Sequence, residues 1–483
     1  MSIRDLVNEC ESLIRTGQIG AVQKIVLGLP TSKIDRHSRL QIANLCRRTG
    51  LVNHGLKVLS PLIEIDRGGW RTIATPGELA EHAILLQRAG ATQEALWVLD
   101  QVDATACPDA HLFRAFCRIG IWEYAAAAES LLAFLRAPIT DYQRLVAQVN
   151  LAAARLALGM REEAGKLLEE VLPPAREGGF TRLTGNCHEL RAQLNFQLGR
   201  FDEARMDLRS AAGQPENGRS LDHFLTRKWM AIVSALESRR PEPMLELRKE
   251  ALERGDSESV READRFLLRV EFDENRFREL LFGTPFALYR QMILAEHEGR
   301  RLETSDYLWG DSNLVFNLHT GELDSGSVAT PTQGVHRILS ALSKDFYRPL
   351  AIGGLFAEIF PGEHFNVLSS PQRVHQAIYR ARQWAATNEI PLVIEEVSSC
   401  FRLVVKPGFG LLVPYEREFA RSEDMRLVRL RSRFTREEFR TPEAQECLDL
   451  SVTSVKNLLA EAVASGQLVR TGKGKATAYR FAA

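Results

Sequence analysis

The sequence predicts a mainly α protein: an N-terminal α-α superhelical solenoid of helical hairpins, followed by two small α+β domains. Three observations predict it. Glycines that close apolar helical stretches recur at spacings of about 30 to 40 residues in the first two hundred positions. Near residue 309 the texture changes to short alternating strands. The last sixty residues carry an arginine run, two capped helical segments and a glycine-tipped hairpin pattern.

The bulk composition bounds the function. With 483 residues the chain exceeds a single core and calls for about three domains. Lysine plus arginine equals aspartate plus glutamate at 62 each, so attraction to nucleic acid must come from local patches. The seven cysteines have no C-x-x-C pair, which argues against a zinc site or disulfide framework and for reduced thiols. Asp5 and Glu9 spoil a signal peptide, and no run of about 18 apolar residues offers a membrane span. A cytoplasmic location is expected, with no membrane contact and no cofactor.

The repeat is legible as a register. Gly50, Gly90, Gly120, Gly159 and Gly199 are each followed five residues later by a small residue: Gly55, Ala95, Ala125, Ala164 and Ala204. Seven residues before four of them stand Ala43, Ala83, Ala152 and Ala192, and nine after come Leu59, Leu99, Leu168 and Leu208. Gly120 is the exception, with Phe113 upstream. Small residues facing each other let two helices cross closely, and glycine permits the left-handed backbone that ends the first. This register resembles the tetratricopeptide repeat over about residues 35 to 210. The resemblance implies a solenoid over residues 1–305 whose concave surface receives a partner protein, a peptide or a small effector.

The next domain is expected over residues 306–410. Leu314, Phe316 and Leu318 alternate with Val315, Asn317 and His319 before a turn at Thr320 and Gly321. Helical segments follow at Thr332 to Lys344, Ile352 to Phe360 and Ser370 to Thr387, then strand-like runs at Leu392 to Val397 and Phe401 to Val405. This order resembles the winged-helix effector domain of OmpR-type response regulators across about 95 residues. Val374, Ile378 and Ala381 fall at the family's buried positions in its third helix, and Arg380 and Arg382 at its basic ones.

On a 3.6-residue period the face opposite Val374 and Ile378 carries Arg373, Gln376, Arg380 and Gln383; with Tyr379 and Arg382 these are the candidate DNA contacts of this module. Arginine pairs with guanine and glutamine with adenine, and both reach phosphates. No acid stands between Asn366 and Asn388. The expected hairpin tip, Val397-Ser398-Ser399-Cys400, lacks the arginine and glycines of the family's wing, so minor-groove contact is not implied. Repeat helix, and no receiver domain, precedes the module, so phosphorylation control is not implied either.

Residues 425–483 form the third domain. Arg426, Arg429, Arg431, Arg433 and Arg436 make the most basic stretch of the chain. Thr441 and Pro442 open a helix to about Leu450, Ser451 caps another through Ser465, and Gly466 ends it. A hairpin with Gly472, Lys473, Gly474 and Lys475 at its tip follows. The pattern resembles the winged helix of many small bacterial regulators over about 55 residues. The resemblance places Arg429, Arg431, Arg433, Thr453, Ser454, Lys456, Asn457, Lys473 and Lys475 against DNA. The glycines do not form a phosphate-binding loop: five residues separate Gly466 from Gly472 where four are needed. No H-E-x-x-H and no G-x-S-x-G is present, and no catalytic or metal-binding residue is expected.

The expectation is a transcriptional regulator that binds double-stranded DNA and performs no reaction. Its alternative is an interaction scaffold whose winged helices mediate docking or dimerisation. No heptad seam identifies a homodimer interface.

Overall fold

The computed structural model describes residues 3–15, 18–66, 69–212, 221–300, 305–310, 313–323, 331–415, 425–434, 437–448, 450–472, 474 and 477–482. The first three hundred residues are helical hairpins. They comprise α1 (Ile3–Arg15) and α2 (Ile19–Leu27), α3 (Arg39–Arg48) and α4 (Val52–Leu59), α5 (Pro76–Arg88) and α6 (Thr92–Asp100), and α7 (Asp109–Ile119) and α8 (Tyr124–Arg136). There follow α9 (Asp141–Ala157) and α10 (Arg161–Glu177), α11 (Thr181–Gln197) and α12 (Phe201–Ala212), α13 (Leu221–Ser238) and α14 (Glu242–Arg254), α15 (Ser257–Val270) and α16 (Glu274–Phe282), and α17 (Ala287–Glu296). A hairpin of β1 (Ile63–Asp66) and β2 (Gly69–Thr72), not foreseen from sequence, separates α4 from α5.

The register holds around Gly50, Gly90, Gly159 and Gly199. Ala43, Ala83, Ala95, Ala152, Ala164, Ala192 and Ala204 are buried, and Leu59, Leu99, Leu168 and Leu208 lie under them. Gly50, Gly90, Gly159 and Gly199 have φ between +73° and +89°. Gly120 does not: its φ is −62°, and Ala125 is exposed. The left-handed residue of this hairpin is Trp122, with φ +63°. Counted from Trp122, Ala115 seven residues before, Ala127 five after and Leu131 nine after are all fully buried. The expectation built on Gly120 and Ala125 was therefore two residues out of phase.

A tryptophan occupies the strained position because its ring is needed there. Trp122 meets Phe286 at 5.8 Å in a stack and Tyr289 at 4.7 Å edge-on, both on the segment that begins α17. The superhelix thus turns far enough for the α7–α8 turn to touch its last helix. Helices α7 to α17 form a ring around a cavity of about 1010 Å³.

Strands begin at β3 (Asp306–Gly310), β4 (Val315–Asn317) and β5 (Glu322–Leu323). After them come α18 (Gln333–Leu342), β6 (Leu350–Ala351), α19 (Ile352–Ile359), α20 (Ser370–Thr387), β7 (Leu392–Val397), β8 (Cys400–Val405) and β9 (Gly410–Pro414). One sheet has the order β3-β9-β4-β5, with β9 antiparallel to β3 and parallel to β4; the other has the order β6-β8-β7. The limit of 410 drawn from the sequence falls on the first residue of β9. That strand turns Leu411 and Val413 into the core and completes the first sheet.

This module and the solenoid share one core. Phe316, Leu339, Phe356 and Val374 belong to the same buried cluster as Leu56, Leu85 and Leu99. Backbones meet at the seam: a Cβ on Gly353 would stand 2.7 Å from the Ala89 carbonyl oxygen, and one on Gly90 2.8 Å from Ala351 Cβ. Only residues without side chains permit that approach. At the far end of the ring Phe346 donates its N–H to the Gly283 carbonyl at 3.0 Å, Arg290 bonds the Tyr415 carbonyl at 2.8 Å, and Phe282 stacks on Tyr307. Arg261, fully buried on α15, holds both carboxylate oxygens of Asp345 at 2.6 Å.

The C-terminal piece has its own core. It comprises α21 (Met425–Arg433), α22 (Thr441–Leu448), α23 (Val452–Ala464) and the antiparallel pair β10 (Leu468–Thr471) and β11 (Ala478–Phe481). Leu430, Phe439, Val455, Leu459 and Leu468 pack together inside it. Among the described residues, no helix of the chain is long and apolar enough to cross a membrane.

Candidate functional site

Helix α20 is anchored by Val374, Ile378, Ala381 and Ala385, spaced at helical intervals and all buried. Its cap is Ser369, and Ser370 is already helical, accepting the Asn366 N–H at 2.8 Å. With that seam fixed, Gln376, Tyr379, Arg380 and Gln383 emerge on the opposite face, all exposed. Gln383 donates to the Tyr379 hydroxyl at 2.7 Å, which orients two members of the stripe. No carboxylate lies within ion-pair distance of Arg380 among the described residues.

Two expected members have partners within the fold. Arg373 grips Glu363 with both terminal nitrogens, at 2.5 and 2.9 Å, and lies 4.0 Å over the Phe360 ring. The helix has no acid of its own, but the turn preceding it supplies one. Arg382 stands two residues beyond Arg380, about 200° further round the helix, and spends Nε and Nη2 on the Ile394 carbonyl at 3.1 and 2.7 Å. It fastens α20 to β7.

The β7–β8 hairpin is closed by a two-residue turn, Ser398 and Ser399, with φ +51° and +63°. Two positive φ values mark the tightest hairpin connection, so the tip is short. Arg402 on this hairpin is paired with Glu395 at 2.6 Å.

In the C-terminal domain Thr453, Lys456 and Asn457 are exposed at the start of α23. Ser454 is engaged by the cap: its N–H donates to Ser451 Oγ at 3.2 Å and the two hydroxyls bond each other at 2.9 Å. Arg433 is exposed, and Arg431 lies 5.0 Å over the Phe481 ring. Lys473, Lys475 and the side chain of Arg429 lie outside the described residues. Glu437, Glu438, Glu443 and Glu446 are exposed on the same domain, so the basic run does not translate into an acid-free surface.

The cavity inside the ring is the second candidate. Its wall comes from the α7–α8 and α9–α10 turns and from α9, α11, α13, α15 and α17, with one residue, Arg348, from the strand-containing module. Sequence reading missed it because its lining residues come from positions up to some two hundred residues apart and form no motif. Lys228 pairs with Glu262 at 2.6 Å and Arg265 binds Glu296 at 2.9 and 2.5 Å across this wall.

No family model matches the chain, and no curated protein matches it. Among solved structures the chain is similar to the crystal structure of a Rap protein complexed with competence and sporulation factor. The TM-score is 0.43 at 14% identity, covering 61% of this chain and 88% of that one. It is also similar to the apo form of RapI, with a TM-score of 0.39 at 13% identity, covering 58% and 85%. No ligand or partner is transferred from likenesses this distant.

Proposed function

We propose that the chain is a cytoplasmic transcriptional regulator whose α20 reads the major groove of duplex DNA. The strand-containing module would then be a winged helix of OmpR type, the C-terminal domain a second winged helix, and the ring a receiver for a partner or effector. The observation that carries this reading is the stripe Gln376, Tyr379, Arg380 and Gln383: four exposed hydrogen-bonding side chains on a helix whose other face is locked in a core. Glutamine and arginine there offer bidentate pairing to adenine and guanine. The C-terminal domain, with Lys456, Asn457 and Arg433 exposed, supplies phosphate contacts that position the chain.

A scaffold reading is favoured by one specific observation, the neutralisation of Arg373 by Glu363. Fluorescence anisotropy with a labelled random duplex at two salt concentrations separates the two. A DNA reader shows affinity that falls with salt, by about 0.9 in log-log slope for each phosphate contact. Replacing Lys473 and Lys475 together would flatten that slope by nearly two units on any sequence. Arg380→Ala or Gln376→Ala would weaken a selected site by about 1–3 kcal/mol and spare bulk DNA. Arg373→Ala would leave that preference intact. Absence of any salt-dependent affinity at low ionic strength hands the function to the scaffold.

A further inference from the structure

The charges lining the ring cavity do not cancel. Lys228 with Glu262 and Arg265 with Glu296 are closed pairs, and Glu258 is held by Arg261 at 3.1 Å. Arg161 donates to Gln197 at 3.2 Å and Glu189 accepts from Gln193 at 3.3 Å on the same wall. Arg269 and Arg348 remain. Arg269 lies over the Phe196 and Phe266 rings at 5.7 and 5.6 Å, and no carboxylate is within ion-pair distance among the described residues. Burial pushes its pKa down, as expected of a cation that lacks a counter-ion. Arg348 is exposed and likewise has no carboxylate in range among the described residues. The indole N–H of Trp229, on the same wall, is buried with no acceptor among the described residues. Around these donors stand Trp122, Phe196 and Phe266, an aromatic lining.

A cavity of about 1010 Å³ with a few polar groups on an aromatic wall has the dimensions and character of a small-ligand site. The lining groups left without a polar partner among the described residues, the Arg269 and Arg348 guanidinium groups and the Trp229 indole, are all donors, so the missing component is an anionic acceptor. We propose that the ring cavity binds an organic carboxylate on an aromatic or aliphatic body, anchored by Arg269 and Arg348. The carboxylate belongs either to a free organic acid or to the C-terminus of a short peptide.

The site is shared between two domains. Arg348 follows Asp345, which accepts the N–H groups of Tyr347 and Arg348 at 2.9 and 3.0 Å and is itself clamped by Arg261 of the ring. A ligand held by Arg348 therefore pulls on the segment that joins α18 to β6 and α19, the helix preceding α20. Resting on the DNA reading above, this makes the carboxylate an effector of duplex affinity.

The test uses the full chain, with thermal shift and tryptophan fluorescence as readouts. The probes are 3-phenylpropionate, N-acetylphenylalanine and trileucine, each beside its carboxamide. The free acids should raise the melting temperature and change the fluorescence at millimolar concentration, and the amides should not. Response to trileucine alone assigns the peptide source; response to the two aromatic acids assigns a free acid. Arg269→Gln and Arg348→Gln should each weaken binding about tenfold or more. Arg348 is exposed, so Arg348→Gln keeps the fold and its unliganded melting temperature even should Arg269→Gln prove unstable. No binding by any acid, equal binding by the amides, or binding unchanged in Arg348→Gln would overturn the proposal. Duplex affinity is then measured with and without the bound acid. A chain that binds the acid but never duplex keeps the cavity and loses the DNA reading; one that binds duplex but no acid does the reverse.

Discussion

Replacing Asp345 by Asn tests how firmly the module is tied to the ring. Asn keeps the shape and the oxygen that accepts the Tyr347 and Arg348 N–H groups, so the turn survives. What goes is the charge facing Arg261, a guanidinium with a fully buried side chain. Removing one partner of a buried pair costs about 3–5 kcal/mol, because the other charge is stranded. The lower end applies here. Arg261 keeps Glu258 at 3.1 Å and lies over the Phe286 and Tyr347 rings at 5.0 and 5.2 Å, and Asp345 retains 14% of its side-chain exposure. About 3 kcal/mol is therefore expected from urea unfolding of Asp345→Asn. Adding Arg261→Met to that background removes the stranded charge and should restore about a third or more of the loss. A loss below about 0.5 kcal/mol, the level of an ordinary surface change, would show that the clasp is not formed in solution.

Three further outcomes are expected. Ala127→Leu should destabilise by about 1–3 kcal/mol through overpacking, and Ala125→Leu, two residues away and exposed, by less than about 0.5 kcal/mol; the reverse order in thermal unfolding would restore Gly120 as the repeat landmark. Ala95→Leu, at a fully buried crossing, should cost about 1–3 kcal/mol. Glu94 gives a pH signature: burial raises its pKa from 4.5 to about 7, although the Phe365 N–H bonds it at 2.6 Å. The folded chain then binds more protons than the unfolded one between those values, so stability falls as pH rises from 4.5 to about 7. Glu94→Gln, which can still accept the Phe365 N–H, should flatten that part of the pH profile. His364, whose Nδ1 lies 3.7 Å from Glu94, would leave only its own titration behind.

Much of the architecture was legible because it rests on local rules. The repeat alanines other than Ala125, the seam of α20 and the cap of α23 by Ser451 follow from helical spacing and capping chemistry, and each is found where spacing placed it. What failed was non-local. Trp122 takes the backbone role of glycine because Phe286 and Tyr289 receive its ring, and no neighbouring residue announces that contact. Arg373 looked free because the acid that binds it precedes the helix by a turn of chain. Gly353 and Gly354 stand inside a segment read simply as helix, and what they permit emerges only beside Ala89 and Gly90. The cavity left no trace in the sequence, since helices and turns far apart along the chain, and Arg348 beyond them, compose it together.

The contact between Trp122 and the last helix changes how the repeats come apart. In an open array each repeat leans only on its neighbours, so the outermost ones fray and opening creeps inward. Helices α7 to α17 have no such outermost member: Trp122 reaches α17 on one side, and the strand module spans from Ala89 to Gly283 on the other. To loosen any one of them, two boundaries must be broken at once. Amide hydrogens along α9, α11, α13 and α15 should consequently exchange together, at one common free energy, while α1 and α2, which lie outside the circle, exchange faster and independently.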